Sequence, residues 1–332
     1  MIVFTGDLHL SDNPRDYYRL RFMKKLQKLL HDMQASGLVI MGDLTEEKDR
    51  HSAWLVNRVV EHLHALSQVC PVLIDMGNHD YVSPSDPFFG FLTHLPDVHF
   101  VTTPTYSDDL AKVWRNGLER TIILPHTRDY EKDWRGLDMS GQKLILAHNT
   151  FDGVDGGSGR KLRGIPRDAL PNVTIIAGDV HVPQRHDNLT YVGAPYRVDF
   201  GDSYEPRLIT LHERMMSSVP LKGFPQKKLV EISNIKDLDD KGLIKGDILK
   251  VRVTLSDRTQ WKKWRRVIED WADGGGYVLY QTVVKTTAGE NVSRAKFMTE
   301  PKHDDEVLRD YGHKMGVDKN TLKVGLSIVD KT

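Results

Sequence analysis

Five short polar stretches carry side chains that could do chemistry: Asp7-Leu8-His9, Gly42-Asp43, Gly77-Asn78-His79-Asp80, His148 and Gly178-Asp179-Val180-His181. Carboxylate, imidazole and carboxamide oxygen together form a mixed O/N donor set. Such a set suits Mn²⁺, Fe²⁺ or Zn²⁺ better than a thiolate-seeking ion. The single cysteine, Cys70, excludes an internal disulfide framework and a cysteine-cluster zinc site, so a metal here must be held by His, Asp, Glu or Asn. The Asp-x-His spacing occurs twice, at Asp7/His9 and Asp179/His181. In an extended segment both side chains of such a pair project to the same face. Any one of these residues alone is more often a cap or a hydrogen-bonded surface group. Five in series make a metal centre the expectation.

Each stretch follows a short apolar run that reads as a strand: Ile2–Thr5, Leu38–Met41, Val72–Asp75, Lys143–Ala147 and Val173–Ala177. Loops beyond strand C-termini are free to converge, and open α/β sheets build their ligand sites there. Between the runs lie helix-period segments. Arg15–Gln34 places Phe22, Leu26, Leu29, Leu30 and Met33 on one face, and a second helix is expected around Ala53–Leu66. Strand alternating with helix predicts an α/β fold whose sheet lies between helical layers.

The chain has 332 residues, 39% hydrophobic and 28% charged, enough for one large domain and a smaller one and too apolar for wholesale disorder. Lys+Arg and Asp+Glu number 46 each, yet the split is uneven. Residues 221–332 hold 22 basic against 17 acidic side chains, and the remainder 24 against 29. The expected organisation is a core over 1–220, a small α/β unit over 221–300 and a terminal segment over 301–332, with Leu221–Pro225 as the joint. In the second unit, Gly246–Leu255 and Tyr277–Val284 read as strands flanking a helix at Arg258–Asp273, which Gly274-Gly275-Gly276 would end. Trp261, Trp264, Ile268 and Trp271 share one side of that helix, and Lys262, Lys263, Arg265 and Arg266 lie largely on the other. That basic face is either simply solvated or a phosphate contact. A short helix is expected at Asp304–Gly312. No charged leader opens the chain and no run of about 18 apolar residues occurs, so a cytoplasmic location without a membrane is expected.

In this order the five stretches resemble the calcineurin-like metallophosphoesterase superfamily, whose pattern runs D-x-H, G-D, G-N-H-[DE], H, G-H-x-H. The resemblance covers roughly residues 1–205. It implies a β-sandwich flanked by helices (four layers, α/β/β/α) with a small α/β cap, and a site for two divalent ions, Mn²⁺ first and Mg²⁺ second. By position, Asp7, His9 and His181 would hold the first ion, Asp43 would bridge, and Asn78, His148 and Asp179 would complete the second. His79 matches the superfamily's general acid, a proton donor to the leaving alkoxide rather than a ligand. Two ions about 3.5–4 Å apart acidify water and neutralise phosphate oxygens during in-line attack. Asp80 would orient the loop or the His79 ring.

Two positions depart from the pattern. The last motif begins Gly178-Asp179 where Gly-His is usual: the carboxylate either serves as a hard oxygen donor, leaves the second ion weakly held, or is an introduced change. Glu46 stands where nucleases of the superfamily often carry His. It would act as a carboxylate partner orienting His79, or as a first-turn helix acid.

Tyr191-Val-Gly-Ala-Pro-Tyr-Arg-Val-Asp-Phe-Gly-Asp202 is similar to the Y-x-G-S-x-x-R-x-x-F-G-[DE] signature of SbcD-type DNA repair nuclease subunits, with Ala194 in place of Ser. Arg197 in it would contact phosphate bidentately, or bridge the core to the next unit. The Gly-rich segment Asp152–Arg163 lacks a Walker ending. It reads as a mobile loop beside His148 whose Arg160, Lys161 and Arg163 could touch DNA. The resemblance further implies a homodimer, with the helix near Ala53–Leu66 a candidate interface, and an SMC-like coiled-coil ATPase partner bound through 301–332. A compact chain of this kind would fit phage origin and work in the host cytoplasm. The expected activities are 3′→5′ exonuclease and single-strand or hairpin endonuclease. The rivals are a phosphomonoesterase on the same fold and a DNA-end-binding scaffold impaired at Asp179.

Overall fold

The computed structural model describes residues 1–286 apart from 111–113, 115, 116, 158 and 160. Arg160, the expected helix at 304–312 and the expected partner-binding segment 301–332 therefore lie outside the described residues. One sheet is built from β1 (Ile2–Thr5), β2 (Gly37–Met41), β3 (Val72–Asp75), β4 (Val98–Val101), β11 (Arg207–His212) and β12 (Met215–Pro220), in the order β12-β11-β1-β2-β3-β4. Within it β1 to β4 are parallel, and β11 and β12 are antiparallel additions. A second sheet contains β5 (Thr105–Tyr106), β6 (Thr121–Leu124), β7 (Leu144–His148), β8 (Thr174–Gly178), β9 (Gln184–His186) and β10 (Leu189–Tyr191), in the order β5-β6-β7-β8-β10-β9. Its four central strands are parallel and its edge strands antiparallel.

The chain is thus a mixed α/β protein with two large sheets face to face and helices outside. The two sheets are the sandwich that the resemblance implied; the strand–helix alternation alone had pointed to one sheet between helical layers, and that difference has a simple cause. Along β1 to β3, residues alternate faces. Val3, Leu38, Ile40 and Ile74 turn outward to α1 (Tyr17–Asp32) and α2 (Ala53–Ser67). Phe4, Val39 and Leu73 turn inward and meet Ile123, Leu146 and Ile176 of the second sheet. Each such burial contributes about 1.5–3 kcal/mol, so neither face can be left wet. The outer face of the second sheet is covered more thinly. Phe151, Val154, Ile165 and Leu170 from loops, and Trp134 after the single turn α3 (Tyr130–Asp133), close it.

A third sheet follows: β13 (Lys227–Ile232), β14 (Ile248–Leu255) and β15 (Val278–Thr286), all parallel, with α4 (Trp261–Gly275) packed upon them. Ile268 is buried against β14, and Trp261, Trp264 and Trp271 lie on the same cluster. Lys262, Lys263, Arg265 and Arg266 are exposed, Arg265 paired with Glu269 at 2.8 Å. Gly276 ends the helix in the left-handed conformation, φ +67°, which only glycine adopts freely. Among the described residues no helix is long and apolar enough to cross a membrane.

Candidate metal centre

The parallel strands β1, β2, β3, β7 and β8 all end at the same rim, and the loops beyond them bring the polar stretches together. Asp7 N–H bonds to Gly42 O (3.1 Å), and His9 N–H bonds to Asp43 O (2.9 Å), zipping the first two loops. The donors do not project from extended backbone, as the Asp-x-His spacing suggested. Asp7, His9, Asp43 and Asp179 have φ of +51°, +44°, +53° and +81°, so each is thrown into the pocket by a left-handed turn. This conformation costs a non-glycine residue about 1 kcal/mol or more. The glycines of the pattern are steric requirements. A Cβ on Gly42 would lie 2.1 Å from His148 Nδ1, and one on Gly77 would lie 2.3 Å from Asp43 Oδ1.

Three overlapping groups could hold cations: Asp7, His9 and His181; His9, Asp43 and His79; and Asp7, Asp43 and His148, the ligand atoms of each lying within 4.8 Å of one another. His9 Nε2 is 3.1 Å from His181 Nε2. The two oxygens of Asp43 face different imidazoles, Oδ2 toward His9 Nε2 at 3.6 Å and Oδ1 toward His148 Nε2 at 3.4 Å. That division suits a carboxylate shared between two ions. Asp179 Oδ1 lies 3.9 Å from His148 Nε2, and its Oδ2 accepts from Thr150 Oγ1 at 2.5 Å. The tip of the Asn78 carboxamide is 3.1 Å from both Asp43 oxygens and from His148 Nε2. Its Oδ1 faces His148 Nε2, the end of the amide that would ligate a cation.

The residues fit a pair of cations. Asp7 Oδ2 and His9 Nδ1 are buried without a hydrogen-bond partner among the described residues, and three carboxylates and four imidazoles crowd one pocket. Burial pushes the Asp7 carboxyl up to about 7, against the pull of His148 and His181. For Asp43 burial acts the same way, but His148, His9 and His79 overcome it and hold the carboxyl well below its usual range. Burial would lower His148, yet Asp43 and Asp179 hold it well above the ordinary imidazole value. His9 is driven down by burial despite Asp43. His148 Nδ1 donates to Met41 O at 2.6 Å, which reserves Nε2 for the pocket and fixes the ring as histidine ligands usually are.

The residues expected around the ligands are placed as follows. His79 lies beside the pocket, its ring 4.8 Å from that of His9, its N–H bonded to Asp43 Oδ1 at 2.8 Å. Its Nδ1 donates to the backbone carbonyl of Glu46 at 2.6 Å, not to the Glu46 carboxylate. That carboxylate instead accepts from Arg19 Nη1 at 2.8 Å and sits 3.7 Å from His9 Nδ1. Nor does Glu46 open a helix, since α2 begins seven residues later. Asp80 orients the loop, not an imidazole: its carboxylate accepts from the amides of Gly77 (2.6 Å), Leu44 (2.9 Å) and Asp43 (3.0 Å). Arg197 is turned from the pocket. Its Nε donates to Tyr204 O at 3.4 Å and its amide to Gln226 Oε1 at 2.8 Å, which is the bridging alternative. Lys161 is exposed, and its segment is tied rather than loose through Gly153 N–H to Leu162 O (3.0 Å) and Leu162 N–H to Val154 O (2.9 Å).

One residue was missed. His126, just past the end of β6, bonds Tyr81 Oη through Nδ1 at 2.7 Å, with its ring 6.3 Å from that of His148. Burial, aided by His148, lowers it to about 4. The signal was present: Thr121–Leu124 is an apolar run followed by Pro125-His126, a sixth polar stretch beyond a strand.

Several known proteins resemble the chain. The chain is 24% identical over 253 residues to the phosphoesterase 244L of Invertebrate iridescent virus 6, covering 72% of this chain and 85% of that protein. It is 24% identical over 215 residues to the phosphoesterase 078R of Invertebrate iridescent virus 3, where the match spans 61% of this chain and 60% of the relative. Solved structures that resemble it include the nuclease MPE of Pseudomonas putida (TM-score 0.32, 14% identity, 68% of this chain and 78% of that one). Another is a dimetal phosphatase from Danio rerio (TM-score 0.39, 11% identity, 66% and 95%). The calcineurin-like phosphoesterase family matches residues 1–209, the stretch that contains every candidate ligand, and the chain belongs to that family of metal-dependent hydrolases.

Proposed function

We propose that this protein is a DNA phosphodiesterase similar to the nuclease subunit of SbcCD-type double-strand-break processing complexes, cutting duplex ends 3′→5′ and single strands or hairpins endonucleolytically. The observation that carries the reading is the Tyr191–Asp202 segment, which runs from the metal pocket to the third sheet. Tyr191 Oη accepts from Phe151 N–H and donates to Asn149 O, next to His148. Tyr196 Oη bonds Leu8 O between the two donors of the first motif, and Phe200 packs on Tyr280 of β15 at 4.9 Å. A phosphomonoesterase needs no such tether. A nuclease gains from one, because a second unit that carries an exposed basic helix is then held to the core.

Asp7, His9, His181 and Asp43 would hold one ion, and Asp43, Asn78, His148 and Asp179 the other. When bound, such a pair acidifies water and offsets the charge that gathers on phosphate oxygens. The remaining chemistry belongs to the chain. With Nδ1 committed to the Glu46 carbonyl, His79 keeps Nε2 to protonate the departing 3′ or 5′ oxygen. Mn²⁺ suits the mixed His and carboxylate donors, with Mg²⁺ as substitute. The cap role of residues 221–300, homodimer formation, the SMC-like ATPase partner and a cytoplasmic working place, the host's if the protein is viral, belong to the same proposal.

The test incubates purified protein with labelled duplex and hairpin DNA, with Mn²⁺ or EDTA, beside His79→Ala and beside a chromogenic monoester. Mn²⁺-dependent DNA cleavage that falls with His79→Ala supports the reading. Monoester turnover without DNA cleavage supports the phosphatase instead, and DNA binding without either supports the scaffold.

A further inference from the structure

Arg19, in the first turn of α1, is 2% exposed, and a guanidinium is expensive to bury unless its donors are matched. One nitrogen, Nη1, donates both to the backbone carbonyl of His9 and to the Glu46 carboxylate, the latter at 2.8 Å. A second, Nη2, is 3.5 Å from Asp16 Oδ1, and Nε is buried without a hydrogen-bond partner among the described residues. Its flat faces lie against Tyr18 and Tyr196, the guanidinium carbon 6.0 and 5.9 Å from the ring centroids. Burial opposes the charge, yet these neighbours hold it firmly.

What the guanidinium grips is significant. Glu46 is pinned at three points: its N–H on Leu10 O (3.0 Å), its carboxylate on Arg19, and its carbonyl under His79 Nδ1. The peptide that orients His79 is therefore positioned from α1 and not by the loop that carries His79. Asp16 in turn is shared with the third sheet, where Lys227 Nζ of β13 lies 3.2 Å from the same Oδ1 and donates to Val198 O at 3.0 Å. A continuous line of charged contacts runs Lys227, Asp16, Arg19, Glu46, and then through a backbone carbonyl to His79.

We infer that Arg19 is a positioning residue that sets the His79 ring through Glu46 and the first-motif loop through the His9 carbonyl, and that the Asp16–Lys227 pair ties this clamp to the seating of the third sheet. The role rests on His79 being the proton donor of the proposed reaction; it does not depend on DNA being the substrate. A misplacement of about 1 Å at a reacting group is worth up to about 100-fold in rate.

The experiment compares wild type, Arg19→Gln, Arg19→Lys and Lys227→Met. Histidine-selective ¹⁵N NMR of the metal-free protein follows the His79 Nδ1–H, whose bond to Glu46 O shields it from exchange. Steady-state assays with Mn²⁺ and a phosphodiester whose leaving group is a poor alkoxide, and so needs a proton, then separate kcat from KM. Arg19→Gln is expected to lose the protected Nδ1–H signal and to drop kcat about 10- to 100-fold with KM within about twofold. Arg19→Lys, with no second nitrogen to reach Asp16 while the first holds Glu46, is expected to fall between, and Lys227→Met to weaken the signal and lower kcat about threefold. Leu63→Ala in α2, a core truncation remote from the line, lowers stability while keeping the signal. Retention of the signal and of kcat within about twofold in Arg19→Gln would overturn the inference, as would its loss in Leu63→Ala. Should Arg19→Gln not fold, the lysine variant and Lys227→Met decide by the same two readouts. A wild type that shows the signal and binds Mn²⁺ yet leaves DNA intact defeats the nuclease reading alone.

Discussion

Replacing Asp75 by asparagine is expected to stabilise this protein, by an amount that grows with pH. Asp75 closes β3, opposite Met41 of β2 and Val101 of β4, and is wholly buried. Neither carboxyl oxygen has a hydrogen-bond partner among the described residues, and the next amide, Met76 N–H, is committed to Val101 O at 3.0 Å. Burial lifts its pKa from 3.8 to about 8, with His148 pulling the other way and Asp80 adding a little. The folded chain thus holds a proton that the unfolded chain releases near pH 4. Wherever the native state binds the extra proton, stability falls as pH rises, so the contribution is complete below about pH 4 and is lost progressively up to about pH 8. At pH 7 the gap is about three pH units, an upper bound of about 4 kcal/mol. Relaxation around the carboxylate makes about 2–4 kcal/mol the working figure. Asparagine has nearly the shape of the protonated acid and cannot ionise. Urea unfolding of the metal-free wild type and Asp75→Asn at pH 5 and pH 8 should show the variant's advantage widening by about 2–3 kcal/mol. Parallel pH profiles would refute the argument, since they would mean that Asp75 reaches solvent or a partner on ionising.

Three further outcomes are expected. His79→Ala should slow cleavage of a diester with a poor alkoxide leaving group by about 10²- to 10⁴-fold and that of a p-nitrophenyl ester far less, because nitrophenolate departs without a proton; equal losses would remove His79 from the acid role. Asp80→Ala strips the carboxylate from three buried amides and should cost about 3 kcal/mol or more in urea unfolding, and a loss below about 1 kcal/mol would show that the loop holds itself. Asp179→Asn should reduce the Mn²⁺ stoichiometry measured by calorimetry from two toward one, with Asp179→His retaining two. An asparagine variant that still binds two ions would take Asp179 out of the ligand set.

The fold was legible wherever an apolar run stood alone. Ile2–Thr5, Val72–Asp75 and the runs ending at His148 and Gly178 are strands because buried parallel strands are apolar on both faces. What the apolar runs alone did not say, and only the family resemblance implied, was that those two faces look at different things, helices on one side and a second sheet on the other. Short edge strands such as Thr105–Tyr106 and Gln184–His186 carry no run at all and exist only because a neighbour supplies their hydrogen bonds. The donors of the pocket were visible as residue types just past strand ends. Their partners were not, because backbone atoms have no letter in a sequence. Glu46 was noticed for its carboxylate and matters to His79 through its carbonyl. Arg19 carried no signal in the sequence and is 2% exposed.

The same limit explains why the motif glycines and the donor residues occur as neighbours. Gly42 and Gly77 are glycines because a Cβ on either would run into His148 or Asp43, and Asp43 itself stands at positive φ. Four strained donors cost the fold several kcal/mol together by ordinary measures. Asp80 offsets part of this by satisfying three amides at the tightest point, where the β2 and β3 loops touch. Arg19 does the same for the β1 loop. Carboxylates and a guanidinium that never touch a phosphate are therefore as necessary to the pocket as its ligands. A substitution among them would look like a folding defect in a stability assay and like a catalytic one in a rate assay, and only a probe of His79 itself tells the two apart.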